Sequence, residues 1–183
     1  GGRLEDAWRR IADDVMPLEA FARLRRVRHR ALRLGMDGDP AAVPAAWWAE
    51  FFAKVRPRRG WTAFVHGWKA RTMRGGGVAP ACDPSLARWF MASADSPEER
   101  AEARALGYRT ARVLAVPEGE RPALEAGEVE CFKMSSKGRL RCEDCMLCDG
   151  LGDGGRGRSP YWRKRLSADR PDIVLPAHGA AGQ

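Results

Sequence analysis

Trp89-Phe90-Met91-Ala92-Ser93-Ala94, then Asp95-Ser96-Pro97-Glu98-Glu99, then Leu106-Gly107 and Tyr108 to Val116, is the stretch that decides the fold class. Its first six residues are apolar or small and predict a strand. Ser96 stands where a helix N-cap belongs, Pro97 suits the first helical position, and Glu99, three residues after Ser96, completes a capping box. Gly107 supplies the left-handed residue that closes the helix. Tyr108 to Val116 alternates and predicts a further strand. Strand, helix and strand in this short span make a βαβ unit, whose strands pair in parallel through a right-handed crossover.

The same alternation extends upstream. Ala31-Leu32-Arg33-Leu34-Gly35-Met36 reads as a strand closed by Asp37-Gly38-Asp39-Pro40. Asp39 can cap, and Pro40 can occupy the first turn of, a helix reaching about Arg56. On that helix Trp47, Trp48, Phe51, Phe52 and Val55 fall on one broad face, which predicts core. Gly60 to Val65 is a second strand, ending at His66-Gly67-Trp68. A connector with Arg71, Arg74 and Gly75-Gly76-Gly77 leads to a short helix from Asp83 to about Arg88; the glycine triplet lacks the ending of a phosphate-binding P-loop. Leu4 to Val27 predicts helix broken at Pro17, while Glu128 to Phe132 and Asp172 to Leu175 add strands.

The expected fold is therefore α/β, with repeated β-α units forming an open parallel sheet or partial barrel and a C-terminal cysteine-ligated metal subdomain. A closed eight-fold barrel needs ~200–250 residues, more than the 183 present. The segments expected are an N-terminal helical piece over 1–27, an α/β core over 28–127, a cysteine segment with a basic Gly-rich loop over 128–170, and a final strand and tail over 171–183.

Composition narrows the function classes. A hydrophobic fraction of 44% excludes a disordered tail. No apolar run approaches the ~18–20 residues of a membrane span, and Gly1 to Asp6 shows no secretion signal, so a cytoplasmic protein is expected. The net charge of +8 comes from 32 cations, of which 27 are Arg. Such a surface attracts polyanions without naming one.

The cysteines carry the sharpest chemical signal. Of five, four crowd between 131 and 148: Cys131, then Cys142-Glu143-Asp144-Cys145-Met146-Leu147-Cys148. Three thiolates in a C-x2-C-x2-C run, with a fourth from the end of a preceding strand, can converge on one centre. Structural zinc usually takes two separate CxxC knuckles, whereas here they overlap at Cys145, which suits a corner of a [4Fe–4S] cubane. The expected cofactor is a [4Fe–4S] cluster, with Zn2+ as the alternative. Met146 and Leu147 would shield it, and Lys137, Arg139 and Arg141 would offset its negative charge. Cys82 stands apart.

Two further sets are candidates. Sites in parallel α/β sheets form at the carboxyl ends of strands, which here carry Asp37, Asp39, His66, Trp68, Asp95 and His178; His66, Asp95 and His178 are the candidate catalytic groups of a metalloenzyme reading. Arg158-Ser159-Pro160-Tyr161-Trp162-Arg163-Lys164-Arg165 interleaves aromatics with cations and suits DNA or RNA, with Arg158, Arg163, Lys164 and Arg165 as the contact residues.

Gly38-Asp39-Pro40-Ala41-Ala42-Val43-Pro44, Gly60-Trp61-Thr62, Met91-Ala92-Ser93-Ala94-Asp95-Ser96, Gly107-Tyr108-Arg109-Thr110, the Cys142 triplet and Ala177-His178-Gly179, in this order, resemble a family of phage and plasmid proteins. The resemblance covers the chain from about residue 31 onward. It implies a β/α fold with a cysteine-ligated centre, and its mobile-element context implies nucleic acid as the partner.

Overall fold

A computed structural model describes residues 22–23, 31–35, 38–55, 60–72, 75–117, 119–137, 139–150 and 171–178. In chain order the elements are β1 (Leu32–Leu34), a 3-10 turn (Pro40–Ala42), α1 (Ala45–Val55), β2 (Trp61–Val65), β3 (Arg71–Thr72), β4 (Val78–Ala79), a second 3-10 turn (Pro84–Arg88), β5 (Met91–Ala94), α2 (Pro97–Ala105), β6 (Thr110–Val116), β7 (Glu128–Glu130), α3 (Phe132–Ser135), α4 (Cys142–Cys145) and β8 (Asp172–His178).

Six strands form one parallel sheet in the order β1-β2-β5-β6-β8-β7. The chain thus walks in one direction from β1 to β6, lays β7 at the edge, and comes back to insert β8 between β6 and β7. Right-handed crossovers put forward connections on one face and a returning connection on the opposite one. The consequence is a sheet with two different sides. α1, the second 3-10 turn and α2 cover the first side. From the connection between β7 and β8, Cys131, Cys145, Leu147 and Cys148 pack on the second.

Side-chain alternation agrees with this division. Trp61, Ala63 and Val65 of β2 join Trp48, Phe51 and Val55 of α1, together with Leu86, Phe90, Ala92 and Ala103, in the larger core. Met91, Ala111, Leu147 and Ile173 form a second core on the other side. Trp48, Trp61 and Trp68 each keep their indole N–H satisfied, donating to Pro40 O (3.0 Å), Trp89 O (2.7 Å) and Ser93 O (2.7 Å). Burial of each such ring stabilises by roughly 1.5–3 kcal/mol without leaving a polar atom orphaned.

The local signals of the βαβ unit operate as expected. Ser96 Oγ accepts the Glu99 amide at 3.2 Å, and Glu99 Oε2 accepts the Asp95 amide at 2.8 Å. Gly107 takes φ +88 beyond the end of α2. Ahead of α1 the expectation changes: Asp39 Oδ1 accepts the Ala41 amide at 2.9 Å and caps only the first 3-10 turn, which ends at Ala42, and α1 itself begins at Ala45.

Three further expectations change. Residues 71–79 are not a plain connector: β3 and β4 form an antiparallel hairpin pairing Arg71 with Ala79 and Thr72 with Val78. Two-residue strands are too short to show a period in the sequence. Trp47 is 43% exposed and stacks on Phe51 at 5.4 Å, because successive residues of a helix turn by about 100° and Trp48 takes the inward direction. β8 continues through Pro176 to His178. The Asp172 amide donates to Gly127 O and Val174 O accepts the Cys131 amide. By the alternation of the ladder, Pro176 also faces the β7 side, where β7 has already ended, so no pairing needs its absent N–H.

The segments expected over 128–170 and 171–183 supply β7 and β8 to the same sheet as the 28–127 core. Of the helix expected over Leu4 to Val27, only residues 22–23 are described, and they are helical. Among the described residues no helix is long and apolar enough to cross a membrane.

Candidate metal centre

The strand alternation of β7 sets the position of the first cysteine. Val129 lies on the second side of the sheet, and Cys131, two residues on, packs on the same apolar cluster. The Cys131 amide donates to Val174 O at 2.7 Å, and its carbonyl accepts the Met134 and Ser135 amides at 2.9 Å each, starting α3. Cys131 is thereby held at the carboxyl end of an edge strand.

The triplet is shaped by one helical turn. α4 begins at Cys142 and ends at Cys145, and Met146 then adopts the left-handed conformation (φ 49), its amide donating to Cys142 O at 2.9 Å. This reversal drives the next residues into the sheet. Leu147 is buried against Met91, Ala111 and Ile173, and Cys145, Cys148 and Cys131 all pack on that group. Cys148 O accepts the Ala63 amide at 3.1 Å, completing the β2 ladder at a level where β2 and β5 are not yet paired. A Cβ on Gly150 would lie 2.6 Å from Phe90 N and Trp89 C, so only glycine admits this close approach. The loop is built into the sheet, not laid over it.

All five cysteines are free thiols. Burial, first, and then the neighbouring Cys131 and Cys142 push the Cys145 thiol up to about 11. Cys148 is raised further by burial and by Cys131 and Cys145, with Arg109 pulling the other way. The neighbouring sulfurs thus add to burial in disfavouring the thiolate at Cys145 and Cys148, and a cation held among them would favour it. Four cysteine sulfurs are the donor set of both a [4Fe–4S] cluster and tetrahedral zinc. As placed, no group of three or more His, Cys, Asp or Glu among the described residues forms a ready metal-ligating set. Met146 and Leu147 are buried, 6% and 5% exposed, and Leu147 belongs to the apolar cluster of Met91, Ala111 and Ile173. Cys142 is exposed, as are Lys137, Arg139 and Arg141; Arg141 is engaged by Glu143 and Asp144. Cys82 is remote, with its Sγ 3.4 Å from Tyr108 Oη.

At the carboxyl ends of the strands, Asp39 is engaged by the fold. Asp39 Oδ2 accepts the His66 and Gly67 amides at 2.9 and 2.7 Å, tying the end of β2 to the turn after β1. Its carboxylate therefore acts as a main-chain bracket. Lys69 pairs with Glu99, and Glu99 is held below the ordinary carboxylate range by that bond and by the Asp95 amide. His66 and Asp95 are exposed on neighbouring strands. His178 ends β8, three strand positions from β2, which at ~4.8 Å per strand is about 14 Å. Asp37 and the cationic residues Arg158, Arg163, Lys164 and Arg165 lie outside the described residues.

Two arrangements were not legible in the sequence. On the α2 side, Arg112 donates to both Glu128 carboxylate oxygens at 2.7 Å, while Asp172 Oδ2 accepts from Arg100 Nε and Arg104 Nη1 at 2.8 Å each. Asp172 Oδ1 accepts the Thr110 amide at 2.8 Å. This network fastens α2 to β6, β7 and β8. On the cysteine side, Arg109 is 4% exposed and binds main-chain carbonyls of the cysteine loop. The only signal was two arginines, 109 and 112, inside an otherwise apolar strand; three residues apart, they fall on opposite faces.

Comparison with protein-family models, with curated proteins and with solved structures returns no match to this chain.

Proposed function

We propose that this chain is a metal–thiolate protein in which Cys131, Cys142, Cys145 and Cys148 hold a [4Fe–4S] cluster against one side of a parallel α/β sheet. The observation that supports it is the meeting of Cys131 with Cys145 and Cys148 on one apolar cluster, although eleven positions and the turn of α3 separate Cys131 from the start of the triplet. Inert cysteines have no reason to be gathered this way by a returning crossover. A bound cluster supplies either one-electron transfer or a rigid cross-link. The chain's residues supply the rest: Met146 and Leu147 exclude water, the β7 end fixes Cys131, and the Ala63 amide fixes the main chain at Cys148. A bound cationic cluster core would favour the thiolate form of the four sulfurs, offsetting their mutual repulsion.

Exposed Lys133, Lys137, Arg139 and Arg141 surround the cysteine segments. With the run ending in Arg163, Lys164 and Arg165, and the net charge of +8, they support contact of this region with DNA or RNA, seen as binding that weakens steeply with salt.

The test is metal and acid-labile sulfide analysis of protein purified without oxygen, with its visible spectrum. The expected result is about four iron and four sulfide per chain and a brown chromophore. One zinc per chain without sulfide overturns the cluster and keeps a metal centre; neither iron nor zinc overturns the site.

A further inference from the structure

The guanidinium of Arg109 lies almost wholly buried at the start of β6, beneath the loop that carries Cys148. Its Nη1 donates to Leu147 O at 2.9 Å and to Gly150 O at 2.8 Å, the carbonyls that bracket Cys148 and Asp149. Its Nε and Nη2 donate to Pro171 O at 3.2 and 2.5 Å, at the entry to β8. Asp149 Oδ1 stands 3.8 Å from Nη1. One side chain therefore holds both ends of the turn containing Cys148 and also the point where the returning chain rejoins the sheet. A planar fork can meet these carbonyls together; an ammonium on a flexible stem cannot hold the same set.

We infer that Arg109 is a positioning residue for the cysteine centre, fixing the turn that presents Cys148 and placing a positive charge beside the sulfur ligands. The inference rests on the proposed metal–thiolate function and deepens it. A carboxylate or carbonyl usually orients a ligand from outside a metal site; here a cation does so by gripping the ligand's own main chain. Because Leu147 O and Gly150 O are bonded on either side of Cys148, loosening the grip moves that sulfur more than it moves Cys131, which β7 holds independently.

The experiment compares wild type, R109K, R109M and R104M, each isolated without oxygen. Arg104 is 46% exposed and pairs with Asp172 on the opposite side of the sheet, so R104M lowers the melting temperature without touching the centre. The readouts are metal and sulfide content, visible circular dichroism at equal metal loading, and the rate of metal loss to a chelator. For R109K, which keeps the charge and a fold to measure, the expected result is an altered dichroism and metal loss about 10- to 100-fold faster than wild type. R109M should be worse in both, and R104M should match wild type in both. Metal-loaded R109K and R109M with wild-type dichroism and release rates overturn the role of Arg109 alone. A wild type holding no metal overturns the proposed function, and this inference with it.

Discussion

Replacing Asp172 with Asn probes the network that holds the returning strand in the sheet. Asp172 is wholly buried and accepts three hydrogen bonds, one from the Thr110 amide and two from the guanidinium groups of Arg100 and Arg104. Asn has nearly the same shape but only one acceptor oxygen. If that oxygen keeps the Thr110 amide, the side-chain NH2 faces two guanidinium donors; if it turns round, the Thr110 amide meets a donor. Breaking a buried ion pair by altering one partner costs about 3–5 kcal/mol. The lower end applies, because Arg104 is half in water and Arg100 retains Glu128 at 3.5 Å and Ala126 O at 2.8 Å. A loss near 3 kcal/mol is a large share of an ordinary stability of about 5–15 kcal/mol. For a chain of this size it lowers the melting temperature by about 6–12 °C. Urea titration followed by far-ultraviolet circular dichroism reads it as a lower midpoint at unchanged slope. A loss below about 1 kcal/mol, the worth of an exposed pair, would refute the reasoning that Asp172 anchors β8.

Other residues give sharper signs. Burial alone would raise the Glu128 carboxyl, but the bonds from Arg112 and the Glu125 amide, and the charges of Arg112 and Arg100, hold it below its ordinary 4.5. Its stabilisation is therefore present above that value and lost as pH falls through the lower folded value; melting temperature against pH should fall less steeply in acid for E128Q, and an identical acid slope would contradict this. Gly150→Ala forces a Cβ onto the main chain of Trp89 and Phe90 at φ +63, whereas Gly107→Ala, at φ +88, meets open space. The first should cost about 2–4 kcal/mol and the second about 1; equal losses would remove the claim of close approach. Thr110 Oγ1 is buried with no hydrogen-bond partner among the described residues, so Thr110→Val should raise stability by about 1 kcal/mol in the same urea assay, and a clear loss would show the hydroxyl to be bonded.

What the sequence disclosed was local. Ser96, Pro97, Glu99 and Gly107 act within one helix, and each is legible because its partner lies a few residues away. The cysteine triplet was conspicuous for the same reason, as Cys142, Cys145 and Cys148 fall on seven consecutive residues. Strand order was not, since nothing near Asp172 announces that β8 enters between β6 and β7. The long-range groups follow from that order. Arg100 meets Asp172 across 72 positions, and Arg109 meets Pro171 O across 62, separations at which no spacing rule operates. The strand expected over Asp172 to Leu175 runs on to His178, because Pro176 is tolerated where the neighbouring β7 has already ended. The strand-end residues His66, Asp95 and His178 looked alike in sequence, yet sheet order separates His178 from the other two.

The central claim is that the returning crossover makes Cys131 one ligand set with Cys142, Cys145 and Cys148. It is tested most directly by measuring iron and acid-labile sulfide in C131S beside wild type and C82S, all purified without oxygen. The predicted result is full and equal content in wild type and C82S, with loss of most iron and sulfide together in C131S. A C131S protein that keeps the wild-type content, or a C82S protein that loses it, would contradict the claim.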